Sequence, residues 1–383
     1  MITSKKILVI VIMLLGIIAF TTYVYINVPL RTAIFRSFAK GTVYLTSDQD
    51  TLYVFGYGGV QKYLVSDPSN PILLAENDNF CKNCYVGHLI ARSGVVNGDY
   101  LYVACRSYLG GSESYSDENY IDGKILVLRK TNLSIVNEYK SDIKLIETKI
   151  KDSLLVVSGL YGFDIYNIKN APDLKELYKY RQQDFTEFQG VDFIEKDSVL
   201  LLAFGRFGNG VSLWDISNLK NVRSIYDFSF SDTLSNGQTI KGRLQCFNLL
   251  YRRPYLYATV APIKEAFEKD DDVRGILIFN LLNLNRIQVS FTEIPRQLYY
   301  KTLIGDPEPT YISEYGNRLY TNFGEKGVAS FDITDLNNPK FEKVINVCND
   351  GNMILPLNIS RKGILFTGDY YWNDIYSYQL NKD

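Results

Sequence analysis

The chain has one histidine, His88, in 383 residues. A Ser-His-Asp triad or a Cys-His dyad would have to use it, and no G-x-S-x-G elbow accompanies it. A multi-histidine metal centre is excluded outright. Cysteine is scarce as well, with five residues in all. Three chemically interesting groups share one stretch, "CKNCYVGH", which places Cys81, Cys84 and His88 together. Tyr85 stands where a c-type haem site needs its histidine, and a tetrahedral zinc site would lack a fourth ligand unless Cys105 or a distant group supplied it. A local disulfide between Cys81 and Cys84, free thiols, or a metal remain the readings of that stretch, and spacing alone does not choose among them. Cys105 and Cys246 fall at or within strands and read as small buried hydrophobes. Charge of one sign is also lacking: 41 Lys and Arg face 42 Asp and Glu. No nucleic-acid footprint follows from that balance. No cofactor is implied. The acidic run "EKDDDV" (Glu268 to Val273) has neither the alternation nor the glycine of a calcium loop and reads as a solvated tip.

What is present begins with a run of twenty uncharged residues, Ile7 to Ile26, preceded by Lys5 and Lys6. At about 1.5 Å per residue a helix of that length reaches roughly 30 Å, the thickness of a bilayer core. Residues 1–26 are read as a signal anchor or a signal peptide. The absence of a good small-residue cleavage site favours the anchor. The layout places the remaining body outside the cytoplasm, in the periplasm or at the cell surface, secreted if the leader is cut. Residues 27–40 are a linker and ring-closing strand, and residues 41–383 hold the globular part.

That part repeats. Thirty Tyr and twenty-one Phe favour β structure, and no long amphipathic helix interrupts it. Seven units start near Thr51, Asp99, Asp152, Asp197, Pro254, Asn317 and Lys362. Each gives an apolar strand, a glycine-containing loop, an alternating strand, an Asp/Asn-rich turn and a third strand. A further strand precedes each unit, for example "LIETKIK", "VDFIEK" and "LQCFNLLYR". Four strands repeated every 45 to 60 residues or so match β-propeller blades, whose sheets cover one another's apolar faces around an axis. The predicted fold is all-β, a seven-bladed β-propeller with an N-terminal transmembrane or signal helix. The seventh unit lacks its outermost strand, which Leu30 to Ser37 is placed to supply.

The cassettes "YLVSDPSNP" (Tyr63 to Pro71), "LWDISN" (Leu213 to Asn218) and "FDITDLNNP" (Phe331 to Pro339) resemble LVIVD repeats, as "YNIKNAP" (Tyr166 to Pro172) does less closely. LVIVD repeats form propellers in secreted and surface proteins of bacteria and archaea, mostly of unknown function. Units two and five depart, with "VLRKTNLS" and "IFNLLNLN". The resemblance implies a fold and a cellular address, and no reaction. The recurring Asp and Pro are explained by turn chemistry: Asp accepts a backbone N–H two residues on, and Pro fixes φ.

In such blades the loops between second and third strands share a face with the connectors between blades. The long insertions, Arg106 to Gly123 and Ala261 to Gly275, and the long connectors all belong to that face. Loop elaboration on a rigid scaffold marks a binding surface. Its candidates are Tyr57, Arg106, Tyr108, Tyr161, Arg206, Phe207, Tyr370 and Trp372, residue types enriched at interface anchors. The functional expectation is a non-catalytic module that binds a protein or a glycan, held to a membrane by its N-terminal helix. The alternative is an envelope carbohydrate hydrolase or lyase with carboxylates in the central funnel, although no carboxylate pair stands out along the chain.

Overall fold

In the computed structural model, residues 35–36, 40–57, 59–78, 89–107, 123–183, 187–240, 244–262, 273–298, 309–347, 354–369 and 374–380 are described. The apolar run Ile7 to Ile26 lies outside them. Among the described residues no helix is long and apolar enough to cross a membrane.

The strands form seven antiparallel meanders of four. Their first strands are Lys40–Asp48, Leu89–Asn97, Leu145–Lys151, Phe188–Lys196, Leu244–Arg252, Ile312–Tyr315 and Ile354–Ile359. Each first strand packs against those of the blades before and after it, and the seventh packs against the first, so the ring closes. Blade seven is built from both ends of the sequence. Phe35–Arg36 pairs with Asp374–Gln379, Phe35 opposite Ile375, as that sheet's fourth strand. A single pairing, Tyr57 opposite Ile90, joins the sheets of blades one and two.

Burial explains the ring. Among the described residues, seven hydrophobic clusters occur, one at each seam between neighbouring blades. Alternation divides each strand between two of them. In Tyr100–Ser107, Leu101, Val103 and Cys105 pack towards blade one, whereas Tyr102 and Ala104 pack towards blade three. The aromatics concentrate between blades three and four, where Phe163 stacks on Phe204 at 4.5 Å and Tyr180 meets Trp214 at 4.5 Å. Cys105 and Cys246 are free and fully buried, and burial pushes both thiols far up.

The repeated turns behave as their chemistry requires. Asp215 accepts the Ser217 N–H at 3.0 Å, and Asp332 accepts that of Thr334 at 2.8 Å. In the divergent fifth unit, Asn280 and Asn283 take the same role towards Leu282 and Asn285, both at 3.0 Å. These turns also dock on the preceding blade: Asn77 Nδ2 donates to the Leu133 carbonyl at 2.7 Å, and Thr292 Oγ1 to that of Pro339 at 2.9 Å. The glycine opening the third strand has a steric cause. A Cβ on Gly162 would lie 1.9 Å from the Tyr180 carbonyl oxygen of the fourth strand, and one on Gly327 would lie 2.2 Å from that of Ile345.

Candidate functional site: the polar axis and its mouth

First strands enter from the face that carries the connectors and run towards the opposite face, where two-residue turns such as 49–50, 98–99 and 152–153 reverse them. In six of the seven blades the pairing of first with second strand shifts register near that entry. A bulge adds one residue, bends the strand and re-aims its side chains. The shifts fall at Arg92, before Glu147, at Gln189–Gly190 and at Phe247–Asn248. They gather polar side chains from separate blades into one layer around the axis.

Glu147 of blade three is at its centre, 7% exposed. Both carboxyl oxygens accept from Asn248 Nδ2 of blade five, at 3.1 and 3.2 Å, and Oε2 also accepts the Val191 N–H at 3.3 Å. Asn248 reaches across blade four because Gly190 has no side chain; a Cβ there would lie 2.7 Å from the Asn248 Cα. Its Oδ1 accepts the Ile312 N–H of blade six at 3.3 Å, and its own N–H donates to Thr259 Oγ1 at 3.1 Å. Burial pushes the Glu147 carboxyl up to about 7; Lys149 opposes the rise, Asp192 adds to it, and the hydrogen bonds from Val191 and Asn248 oppose it.

Below Glu147, Lys149 pairs with Asp192 of blade four at 3.3 Å. Asp192 also accepts the Tyr251 N–H at 2.7 Å and the Phe193 N–H at 3.0 Å. The Asp192 charge holds the Lys149 ammonium above its ordinary range. Further rungs join Lys151 to Glu195 at 3.1 Å and Arg252 to Glu314 at 3.5 Å.

Two tyrosines complete the layer. Tyr311 donates to the Val43 carbonyl at 2.7 Å, and the Thr310 and Tyr311 N–H groups are both fixed by Asn322 Oδ1, at 3.0 and 2.6 Å. Its ring lies 6.0 Å from that of Tyr44, inclined by 59°. Burial raises both hydroxyl pKa values. Arg92 and Arg106 are near enough to pull that of Tyr311 back down, while Glu147 pushes it up.

Of the residues expected to form a binding face, Arg106 thus joins this axial group. Tyr161 is exposed in the turn between second and third strands of blade three, at φ 70°, a left-handed conformation unusual for a bulky side chain. Arg206 has a structural occupation: it pairs with Asp227 at 3.0 Å and donates to the Asn209 carbonyl at 3.3 Å, next to Phe207. Tyr57 ends a strand on the same face. Tyr108, Tyr370, Trp372, Cys81, Cys84 and His88 lie outside the described residues. Among the described residues, no group of three or more His, Cys, Asp and Glu is placed to hold a metal ion. Sequence reasoning missed Glu147, Lys149, Asp192 and Asn248. Their signal was polar side chains inside strands that precede the apolar units.

No family model matches the chain, and no curated protein matches it either. Solved structures do. The β-propeller domain of Cps50 (Swd1) from Myceliophteria thermophila aligns with a TM-score of 0.59 at 9% identity, over 91% of this chain and 99% of that one. The WD40 β-propeller domain of Doa1 gives 0.58 at 10% identity, over 92% and 97%. A chain of the mitotic checkpoint complex gives 0.59 at 11%, over 91% and 95%. The fold is a seven-bladed β-propeller. At such identities the likeness extends to the propeller architecture alone.

Proposed function

We propose that this propeller is a non-catalytic binding module, anchored by its N-terminal apolar run and working outside the cytoplasm, whose elaborated face takes a protein or glycan partner. The observation that carries it is the difference between the two faces. In six blades a turn of two residues closes the first-to-second strand hairpin on one face, whereas the strand ends at Ser107 and Gly123, at Pro262 and Gly275, and at Glu293 and Ile312, between which the chain is longest, lie on the other. A rigid ring with its length variation on one side is built to present loops. Propellers commonly serve as protein-binding scaffolds, and the resemblance of the turns to LVIVD repeats agrees with a surface address. The axial carboxylates support binding over hydrolysis. All four oxygens of Glu147 and Asp192 are held by Asn248, backbone N–H groups or Lys149, so neither carboxyl is bare for acid or nucleophile work.

The test is capture from an envelope extract by the full chain, in parallel with a chain whose residues 108–122 are replaced by a Gly-Ser linker. Loss of a specific partner from the linker version, with thermal unfolding unchanged, is the expected result. Equal recovery from both removes that loop as the contact.

A further inference from the structure

We propose that the layer at the mouth of the axis binds the carboxylate of an acidic saccharide, with Arg92 as its counter-ion. The inference deepens the binding reading above and rests on it, because the mouth lies at the face from which the longest insertions start.

Arg92 is the odd member of the layer. It stands at the bulge of Leu89–Asn97, half-buried, and near enough to Tyr311 for its charge to act on that hydroxyl. Glu147, Lys149 and Asp192 all have partners, but Arg92 makes no hydrogen bond or ion pair with any described residue. A guanidinium offers five donors in a planar fork matched to a carboxylate, and partial burial makes it costly to leave them unused. Local charge points the same way. Lys149 and Asp192 cancel each other, and Glu147 carries a proton for much of the time near neutrality. The positive charge of Arg92 is therefore uncompensated, and one negative charge balances it. A doubly charged phosphate would bring a second negative charge towards Glu147 and Asp192. The rings favour a saccharide: Tyr44 lies inclined against Tyr311, whose hydroxyl feels the charge of Arg92, and the C–H face of a sugar ring can lie on such a wall. A few fixed polar groups against such a wall are the usual make-up of a small-molecule site.

The bound anion also couples to Glu147, which Lys149, Asp192, Asn248, Tyr44 and Tyr311 face from blades one, three, four, five and six. A negative ligand favours the protonated carboxyl, so affinity rises as pH falls from 8 to 6.

Calorimetric titration of the full chain in detergent micelles with D-glucuronate, acetate and inorganic phosphate tests this. The expected result is one saturable glucuronate site, with acetate and phosphate at least tenfold weaker. Arg92→Ala loses tenfold or more, Arg92→Lys retains part, and Glu147→Gln removes the pH dependence. Absence of saturable glucuronate binding, or wild-type affinity in both Arg92 variants, overturns the site. Acetate as tight as glucuronate overturns the saccharide, and tighter phosphate overturns the carboxylate. Partner capture by the 108–122 loop is read separately, so either proposal can fail while the other stands.

Discussion

Glu147 makes the axis sensitive to pH. Folding holds its proton up to about pH 7, against an ordinary value of 4.5, so between those values the folded chain binds more protons than the unfolded one. The stability this lends is complete below pH 4.5 and lost as pH rises through 7, a change of about 3 kcal/mol for a shift of that size. Glu147→Gln keeps an acceptor for Asn248 and removes the titration. Urea unfolding of both proteins from pH 5 to 8 should show the wild type losing most of that amount relative to the variant; parallel curves would mean that Glu147 ionises like an exposed carboxylate.

Among the elements, the third strand depends on its opening glycine. Gly162→Ala drives a methyl into the Tyr180 carbonyl, and an overpacked backbone contact costs about 3 kcal/mol. Gly98→Ala, in a turn at φ 57° with nothing within 4 Å, carries only the left-handed penalty of about 1 kcal/mol. Denaturant midpoints of the two variants separate close approach from conformational freedom. This glycine, like the Asp and Asn of the turns, was legible in the sequence because its role is local. The strands "LIETKIK" and "LQCFNLLYR" were legible too, matching Leu145–Lys151 and Leu244–Arg252 residue for residue. What they build was not. Period-two alternation assigns Glu147 to a face only while the ladder stays in register, and the bulge before it breaks that count. Asn248 reaches Glu147 across an intervening blade, a distance along the chain that no spacing rule spans. Nothing local in the sequence marks Arg92 either, because only the closed ring brings its charge within reach of Tyr311.

For the whole molecule, closure is a property of both termini. A chain starting at Ala33 keeps the strand Phe35–Arg36, and one starting at Lys40 leaves Asp374–Gln379 as an open edge that invites pairing with other chains. The shorter chain should melt several degrees lower and self-associate in sedimentation velocity, and equal behaviour of the two would make the strand dispensable. The same join sets an order of events in the cell. Phe35 is synthesised long before its partner Ile375, so the ring cannot be sealed until that partner has been made. A chain bound for export would then cross its translocon before the circle locks.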